Sequence, residues 1–283
     1  MALNRSGELF SWGQGEGGLL GHGNFDSLWS PKRIEALRKT KIVQLECGGL
    51  HTLAVNKDGH VFSWGRSEAG QLGMTQDTME KLSNTDLGIP FPRRVYSQLG
   101  DKFVKQVAAG DAHSLALTDK GVVYGWGWSN YGQLGLGFSA DSFEPGTGNN
   151  QSKVLEPTEI KELSRVRVAK IFSGYTFSMF LTEGGDLLGC GMNDLGQLGI
   201  DNEKEELRQL ESMKNNTKRR QAKLISDVLV PTDVDCFQGI PVVNVACGEN
   251  HALAVSVLRP IIERLRKKRE IWFGLGACSS TVN

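Results

Sequence analysis

The chain has 283 residues, with 32 lysines and arginines balanced by 32 aspartates and glutamates, and 39% of its residues are hydrophobic. This charge balance gives no reason to expect direct nucleic-acid binding or attraction to a membrane surface. The sequence shows neither an apolar run of about 18 residues nor a signal-peptide pattern. We therefore expect neither membrane spanning nor secretion, and we predict a cytoplasmic or nuclear location.

The cysteines are spaced too widely for a structural framework. Their number is odd and no C-x-x-C pair occurs, which argues against both disulfides and a zinc site. We therefore expect buried thiols that pack as small hydrophobes, no metal and no cofactor. The five cysteines are Cys47, Cys190, Cys236, Cys247 and Cys278.

Two blocks of sequence recur four times along the chain. Each block holds about five apolar or alternating residues bounded by glycines, which predicts short β-strands. The first block reads GELFSWGQGEGGLLG, GHVFSWGRSEAGQLG, GVVYGWGWSNYGQLG and GDLLGCGMNDLGQLG, starting at Gly7, Gly59, Gly121 and Gly185. The second reads IVQLECGGLHTLAV, VKQVAAGDAHSLAL, VAKIFSGYTFSMFL and VVNVACGENHALAV, starting at Ile42, Val104, Val168 and Val242.

These blocks divide residues 7–256 into four units, which end at residues 58, 120, 184 and 256. The turns Lys57-Asp58-Gly59 and Asp119-Lys120-Gly121 predict hairpins that join the last strand of one unit to the first strand of the next. Short strands at this spacing are typical of propeller blades.

The paired blocks resemble those of the regulator of chromosome condensation repeat family, whose members form seven-bladed β-propellers. The resemblance covers residues 7 to about 256 and implies an all-β propeller with four recognisable blades. Because the family has seven blades, we predict an incomplete arc. A fragment, an assembly with another chain and a tighter ring are the alternatives.

The glycines of WGQGEGGLLGHG match G-x-G-x-x-G, a spacing found in dinucleotide-binding loops. Such a loop needs a following helix and an acidic residue about 20 positions further on, and this sequence supplies another strand unit instead. Gly13, Gly18 and Gly21 recur in the other three units, whereas Gly15 does not. We therefore predict that the recurring glycines shape blade turns and that Gly15 is incidental.

Histidine and tryptophan each recur at one position of the repeat. We interpret both sets as structural: the histidine rings lie beside the central shaft with their nitrogens bonded to backbone, and the tryptophans pack in blade cores. Phe177 and Cys190 take these positions in the other units. The sets are His51, His113 and His251, and Trp12, Trp64 and Trp126.

The loops before the histidine position form the GTPase-binding face in family members that exchange guanine nucleotide on Ran-type GTPases. The resemblance places Asp111 of the GDAH loop at an acidic contact position, and Tyr175, Thr176, Glu249 and Asn250 on the same face. In those members the third loop reads G-N-D-H, with an aspartate important for exchange. Here it reads GYTF, without the acid and the imidazole.

An insertion at residues 200–230 separates the blocks of the fourth unit. Its first half is a helix candidate with Leu207, Leu210 and Met213 on one face. In position it resembles the wedge that exchange factors press against a GTPase, and a solvated loop is the alternative. Two shorter connections, TQDTMEKLSNTDLGIPFPRR and SADSFEPGTGNNQSK, are predicted to be surface loops.

The repeat pattern breaks after HALAVS, and residues 257–283 are expected to form a basic, non-repeat tail. Its RLRKKRE run is interpreted as a basic surface helix face, with nuclear targeting or phosphate contact as the alternative. EIWFG is a weak candidate for a further strand.

Together these features predict a protein-interaction propeller that regulates a small GTPase of the Ran type as a guanine-nucleotide exchange factor. The alternative is a repeat scaffold for chromatin, ciliary or ubiquitin-pathway proteins without exchange activity, which the changed third loop favours. No convergent nucleophile is visible, so we expect no covalent catalysis.

Overall fold

The computed structural model describes residues 1–82, 88–139, 152–201, 227–257 and 270–274. Within these ranges the chain consists mainly of β-strands joined by tight turns, as predicted. In chain order the strands are β1 (Ala2–Leu3), β2 (Leu9–Gly13), β3 (Leu28–Arg33), β4 (Ile42–Cys47), β5 (His51–Asn56), β6 (Val61–Gly65), β7 (Ile89–Arg94), β8 (Val104–Ala109), β9 (His113–Thr118), β10 (Val123–Trp128), β11 (Lys153–Glu159), β12 (Val168–Ser173), β13 (Phe177–Thr182), β14 (Leu187–Gly191), β15 (Val228–Asp233), β16 (Val242–Cys247), β17 (Ala252–Val257) and β18 (Glu270–Gly274).

The strands form five antiparallel sheets that follow one another in chain order. The first sheet is β1-β2-β3, the second β4 to β7, the third β8 to β11, the fourth β12 to β15, and the fifth β16-β17-β18. Each four-stranded sheet takes two strands from one sequence unit and two from the next. The sheets therefore straddle the boundaries between the units.

The predicted hairpins across the unit boundaries are confirmed. β5 pairs with β6, and β9 pairs with β10, without a register shift. In the first of these turns, the backbone N–H of Gly59 donates to the carbonyl of Asn56 at 3.0 Å. Glycine closes the turn because its φ of +76° is a conformation that other residues rarely adopt.

A further strand lies where the repeat pattern breaks. β18 (Glu270–Gly274) pairs with β17 along its whole length, in the same arrangement that joins β6 to β5. EIWFG therefore forms the third strand of the fifth sheet, although it lacks the tryptophan-glycine pair found in the first three units. The predicted basic helix face lies outside the described residues.

The hydrophobic core lies between consecutive sheets. Strands β5, β9 and β13 are buried along their whole length because each is covered by sheets on both sides. On β17, Leu253 is 38% exposed, whereas Leu53 at the same repeat position is fully buried. Among the described residues, no apolar cluster joins the first sheet to the fifth, so these residues form an open arc of five sheets.

Glutamine side chains hold neighbouring sheets in register. The amide of Gln44 donates to the carbonyl of Val107 at 2.9 Å and accepts from its N–H at the same distance. Gln106 makes the same pair of bonds with Ile171 of the next sheet, at 2.7 and 3.0 Å. Each amide thus completes the backbone bonding of the adjacent innermost strand.

The recurring tryptophans join each sheet to the turn of the preceding one. The indole N–H of Trp64 donates to the carbonyl of Leu19 at 3.0 Å, and that of Trp126 to the carbonyl of Gln71 at 2.9 Å. Both side chains are fully buried. Trp12 differs from the prediction of core packing: it is 39% exposed, because no sheet among the described residues precedes its own.

This difference predicts unequal costs for the same substitution. Trp126→Phe removes a buried hydrogen bond and part of a buried ring, and we expect the free energy of unfolding to fall by about 1–2 kcal/mol. Trp12→Phe should cost less than about 0.5 kcal/mol. Urea denaturation of both variants measures the difference, and equal losses would contradict the structural account of this junction.

The recurring glycines have the backbone conformation that the repeat predicts. All have φ between 67° and 114° in the left-handed region, at the positions of Gly13, Gly18 and Gly21 in every unit. The prediction that Gly15 is incidental was wrong. A Cβ atom on Gly15 would fall on the carbonyl oxygen of Asp26, so the first unit requires this additional glycine.

The connection TQDTMEKLSNTDLGIPFPRR is not a loop throughout. It contains the helix α1 (Gln76–Leu82), whose first turn includes a bond from the Thr78 N–H to the Thr75 hydroxyl at 3.3 Å, and it ends in the strand β7 (Ile89–Arg94). The segment has no apolar periodicity, which is why the sequence pattern missed the helix. No helix in the described ranges is long and apolar enough to span a bilayer.

Candidate protein-binding face

Four loops that precede the histidine position lie side by side. We call residues 48–51, 110–113, 174–177 and 248–251 the inner loops. The N–H of Gly49 donates to the carbonyl of Gly110 at 3.1 Å, and the N–H of Asp111 donates to the carbonyl of Tyr175 at 3.0 Å. These bonds link the first three inner loops into one continuous backbone layer.

A glycine in each inner loop makes room for the ring three residues later. A Cβ on Gly110 would fall on the His113 ring, and one on Gly174 would fall on the Phe177 ring. These glycines do not have positive φ, so the requirement is close packing and not backbone conformation.

His51 and His113 bond to serine hydroxyls of the following sheet, partners that the prediction of backbone bonding did not include. His51 Nε2 lies 2.7 Å from the Ser114 hydroxyl, and His113 Nε2 lies 3.0 Å from Ser178 and 2.7 Å from Ser173. Ser114 donates its own proton to the carbonyl of Gln71, so it accepts from the His51 N–H. The sequence signal for these serine partners is a serine directly after the ring position, as in the pairs His-Ser and Phe-Ser.

Burial keeps both histidines neutral. It lowers the pKa of His51 to about 4 and that of His113 to about 3. The His–Ser pairs have the spacing of a base and a nucleophile. In the pairs His51–Ser114 and His113–Ser178 all four side chains are buried, so a substrate has no access to them, whereas Ser173 is half-buried. His251 differs from its counterparts and is exposed, because no described sheet follows the fifth.

The structure brings together three of the predicted face residues. The Tyr175 hydroxyl donates a hydrogen bond to the Asp111 carboxylate, and Glu249 is close enough to act on both groups electrostatically. Asp111 is half-buried, whereas Tyr175 and Glu249 are exposed. Tyr131, which the sequence analysis did not assign to this face, also acts electrostatically on Tyr175. We call Asp111, Tyr175 and Glu249 the acidic cluster.

The other two predicted residues have different positions. The Thr176 side chain is buried and its hydroxyl donates to the sulfur of Met192 at 3.2 Å, so this side chain faces the interior. Asn250 is exposed beside Glu249. The predicted insertion helix at Leu207, Leu210 and Met213 lies outside the described residues.

The electrostatics of the acidic cluster suit a cationic partner group. Burial raises the pKa of Asp111, the hydrogen bond from Tyr175 lowers it, and the negative charge of Glu249 raises it again, with a net increase. The negative charge of Asp111 in turn raises the pKa of Tyr175. A lysine or arginine side chain would relieve the repulsion between the two carboxylates. The described residues include no group of three or more side chains able to hold a metal ion.

The pKa of the Asp111 carboxyl provides a direct test of this geometry. Tyr175→Phe should raise this pKa further, because the stabilising hydrogen bond is lost, whereas Glu249→Gln should lower it by removing a negative charge. Carboxyl NMR titration of the wild type and both variants measures the two shifts. The arrangement is refuted if neither substitution moves the Asp111 titration.

Comparison with known proteins identifies this architecture. The model of the RCC1-like domain matches residues 1–259, and the chain belongs to this family of β-propeller repeat proteins. The ultraviolet-B receptor UVR8 of Arabidopsis thaliana is 32% identical over 297 residues, which cover 90% of this chain and 60% of UVR8. The probable E3 ubiquitin-protein ligase HERC6 of Homo sapiens is 37% identical over 203 residues, covering 70% of this chain and 18% of HERC6.

Two solved structures share the fold at 25% sequence identity. Human WBSCR16 superimposes with a TM-score of 0.66 over 90% of this chain and 54% of its own. Prp20p of Saccharomyces cerevisiae, described with its binding properties to Gsp1p and histones, superimposes with a TM-score of 0.65 over 91% of this chain and 54% of its own. The chain thus spans 60% of UVR8 and about half of the two solved chains.

Proposed function

We propose that this chain is a protein-interaction propeller that binds a small GTPase through its inner loops and promotes release of the bound guanine nucleotide. The observation that carries the proposal is the acidic cluster, in which Asp111, Tyr175 and Glu249 converge from three neighbouring inner loops. Similarity to Prp20p, which was characterised for binding to Gsp1p, supports a GTPase of the Ran type.

The rigidity of the inner loops favours such a role. Backbone bonds between loops hold the Asp111 backbone in place, and the buried rings pack beneath it, so little conformational freedom is lost on binding. A GTPase holds its nucleotide through backbone N–H groups, a lysine and Mg²⁺. A carboxylate that competes for the lysine lowers nucleotide affinity, and the propeller needs no covalent step.

Release of fluorescent GDP from Ran and from a panel of other small GTPases tests the proposal. We expect the chain to accelerate release, and Asp111→Asn and Glu249→Gln each to reduce the effect about tenfold or more, as expected for loss of a close interfacial charge pair. Asp77→Asn on α1 is the matched control and should have no effect. Failure to bind any GTPase, or to accelerate release, would refute exchange activity.

A second candidate is a non-catalytic adaptor. The third inner loop carries Thr176, whose side chain is buried, at the position where exchange factors are expected to have an acid, and HERC6 is among the relatives. This candidate predicts partners that bind the acidic cluster regardless of GTPase nucleotide state. Pull-downs with the wild type and Asp111→Asn, in excess GDP and then GTP, separate it from the first.

A further inference from the structure

The outer strands β3, β7, β11 and β15 share one repeat position, and in three of them its residue packs on the sheet before it. In β3, β7, β11 and β15, the residue pairing with the repeat glycine of the neighbouring strand is Leu28, Ile89, Val154 or Val228. The next residue along each outer strand occupies one position of the repeat, which we call the outer-strand contact. Its four occupants are Trp29, Pro90, Leu155 and Leu229.

Three of these residues fill a space above a glycine of the preceding unit. A Cβ on Gly18 would lie 2.6 Å from the Cα of Pro90. The same atom on Gly70 would lie 3.0 Å from Leu155, and on Gly132 it would lie 2.8 Å from Leu229. The contact between an outer-strand residue and a loop glycine is therefore the regular way in which one sheet covers the turn of the sheet before it.

In the first sheet, the residue at the outer-strand contact has no described glycine of a preceding unit to pack on. Trp29 is 99% exposed, and Trp12 lies on the adjacent strand and is also partly exposed. A fully exposed tryptophan at a position that is buried or half-buried in the other three sheets marks an uncovered contact surface, because burial of such a ring removes about 150–250 Å² of area from water.

In the fourth unit, the loop glycine has no described outer-strand residue of the next sheet packed on it. A Cβ on Gly196 would meet no described atom within 4 Å. Leu195 beside it is 63% exposed, whereas Ala69 at the same repeat position is 8% exposed. The described part of the fifth sheet ends at its third strand, so no described outer strand covers this loop.

We propose that two copies of this chain associate head to tail, with Trp29 of one copy packed on the Leu195–Gly196 loop of the other. This contact has the same form as the three junctions inside the chain. Among the described residues, Trp29 is the one outer-strand contact residue, and Gly196 the one loop glycine of this set, that has no such partner. Trp29 and Leu195 are both large apolar side chains, and the chain carries a formal net charge of zero, so electrostatic repulsion between copies is small. Because the two surfaces differ, every assembly of copies has one free Trp29 surface and one free Leu195–Gly196 loop. Association therefore continues beyond the dimer.

The mass distribution of the full chain tests this proposal. Light scattering coupled to gel filtration, from about 1 μM to about 100 μM, should show mass increasing with concentration for the wild type. Trp29→Ser and Leu195→Glu should each remain monomeric. An equimolar mixture of the two variants retains one intact pair of surfaces and should form dimers and nothing larger.

The controls separate this contact from general surface stickiness. Tyr96→Ser removes another exposed aromatic ring, and Val43→Glu adds a charge at an exposed strand position where the next unit has Lys105; both should associate like the wild type. Matching circular dichroism spectra confirm that all variants fold. A wild type that stays monomeric to about 100 μM, or a mixture that forms no dimers, overturns the proposal.

Discussion

Below about pH 6.5, the free energy of unfolding should fall by up to about 2.7 kcal/mol per pH unit through His51 and His113 alone, since each histidine contributes up to about 1.4 kcal/mol per unit. Burial lowers the pKa of these side chains to about 4 and about 3, so both are neutral when folded. Unfolding returns them to water, where they bind protons below about pH 6.5.

The direction of this pH dependence follows from proton uptake on unfolding. Between about pH 6.5 and pH 4 the unfolded chain binds more protons than the folded chain, so stability is fully present above this range and is lost as pH falls. The loss from His51 ends near pH 4, and that from His113 ends near pH 3, where the folded side chains also protonate. Urea denaturation at a series of pH values measures the slope.

A double variant isolates the histidines from the carboxylates. Asp111 and Glu46 have raised pKa values in the folded chain, so they favour folding as pH falls and partly oppose the histidine effect. His51→Phe combined with His113→Phe keeps these groups and replaces both rings with the one that Phe177 already provides at this position. We expect a clearly shallower slope for the double variant, and an unchanged slope would show that the buried imidazoles are not responsible.

Gly110→Ala should lower the free energy of unfolding by about 3 kcal/mol, as expected for overpacking where the backbone cannot relax. The new methyl group would fall on the His113 ring and lie 2.8 Å from the carbonyl oxygen of Gly174. Hydrogen bonds hold the loop on both sides: the Gly110 N–H donates to the carbonyl of His113, and the Gly110 carbonyl accepts from Gly49.

Gly100→Ala is the matched control. A Cβ there would lie 3.6 Å from its nearest neighbours, and the backbone is right-handed helical at φ −52° and ψ −39°. Alanine at such a site is neutral or stabilising by about 0.4–1 kcal/mol, because it restricts the unfolded chain. Chemical denaturation compares the variants. Equal stability of Gly110→Ala and Gly100→Ala would contradict the close packing of the inner loops.

The propeller fold and much of the candidate site could be predicted from the repeats. The Lys57-Asp58-Gly59 turn, the left-handed glycines and the position of Asp111 in an inner loop all follow from local patterns that recur in every unit. The helix α1 and the need for Gly15 could not be predicted in this way, since each occurs in only one unit. The half-buried position of Asp111 and the buried position of Thr176 also lie beyond the pattern, although both residues precede the ring position.

The sequence by itself determined the strands of the two recurring blocks, which glycines must take left-handed φ and which loops gather on one face, because these depend on short-range backbone geometry that repeats along the chain. Only the tertiary structure decided which copy of each residue is covered. Trp64 is buried and Trp12 is not, and His113 bonds to serines while His251 is exposed. Burial of a repeat position depends on the sheet beside it, and that neighbour comes from a distant part of the chain.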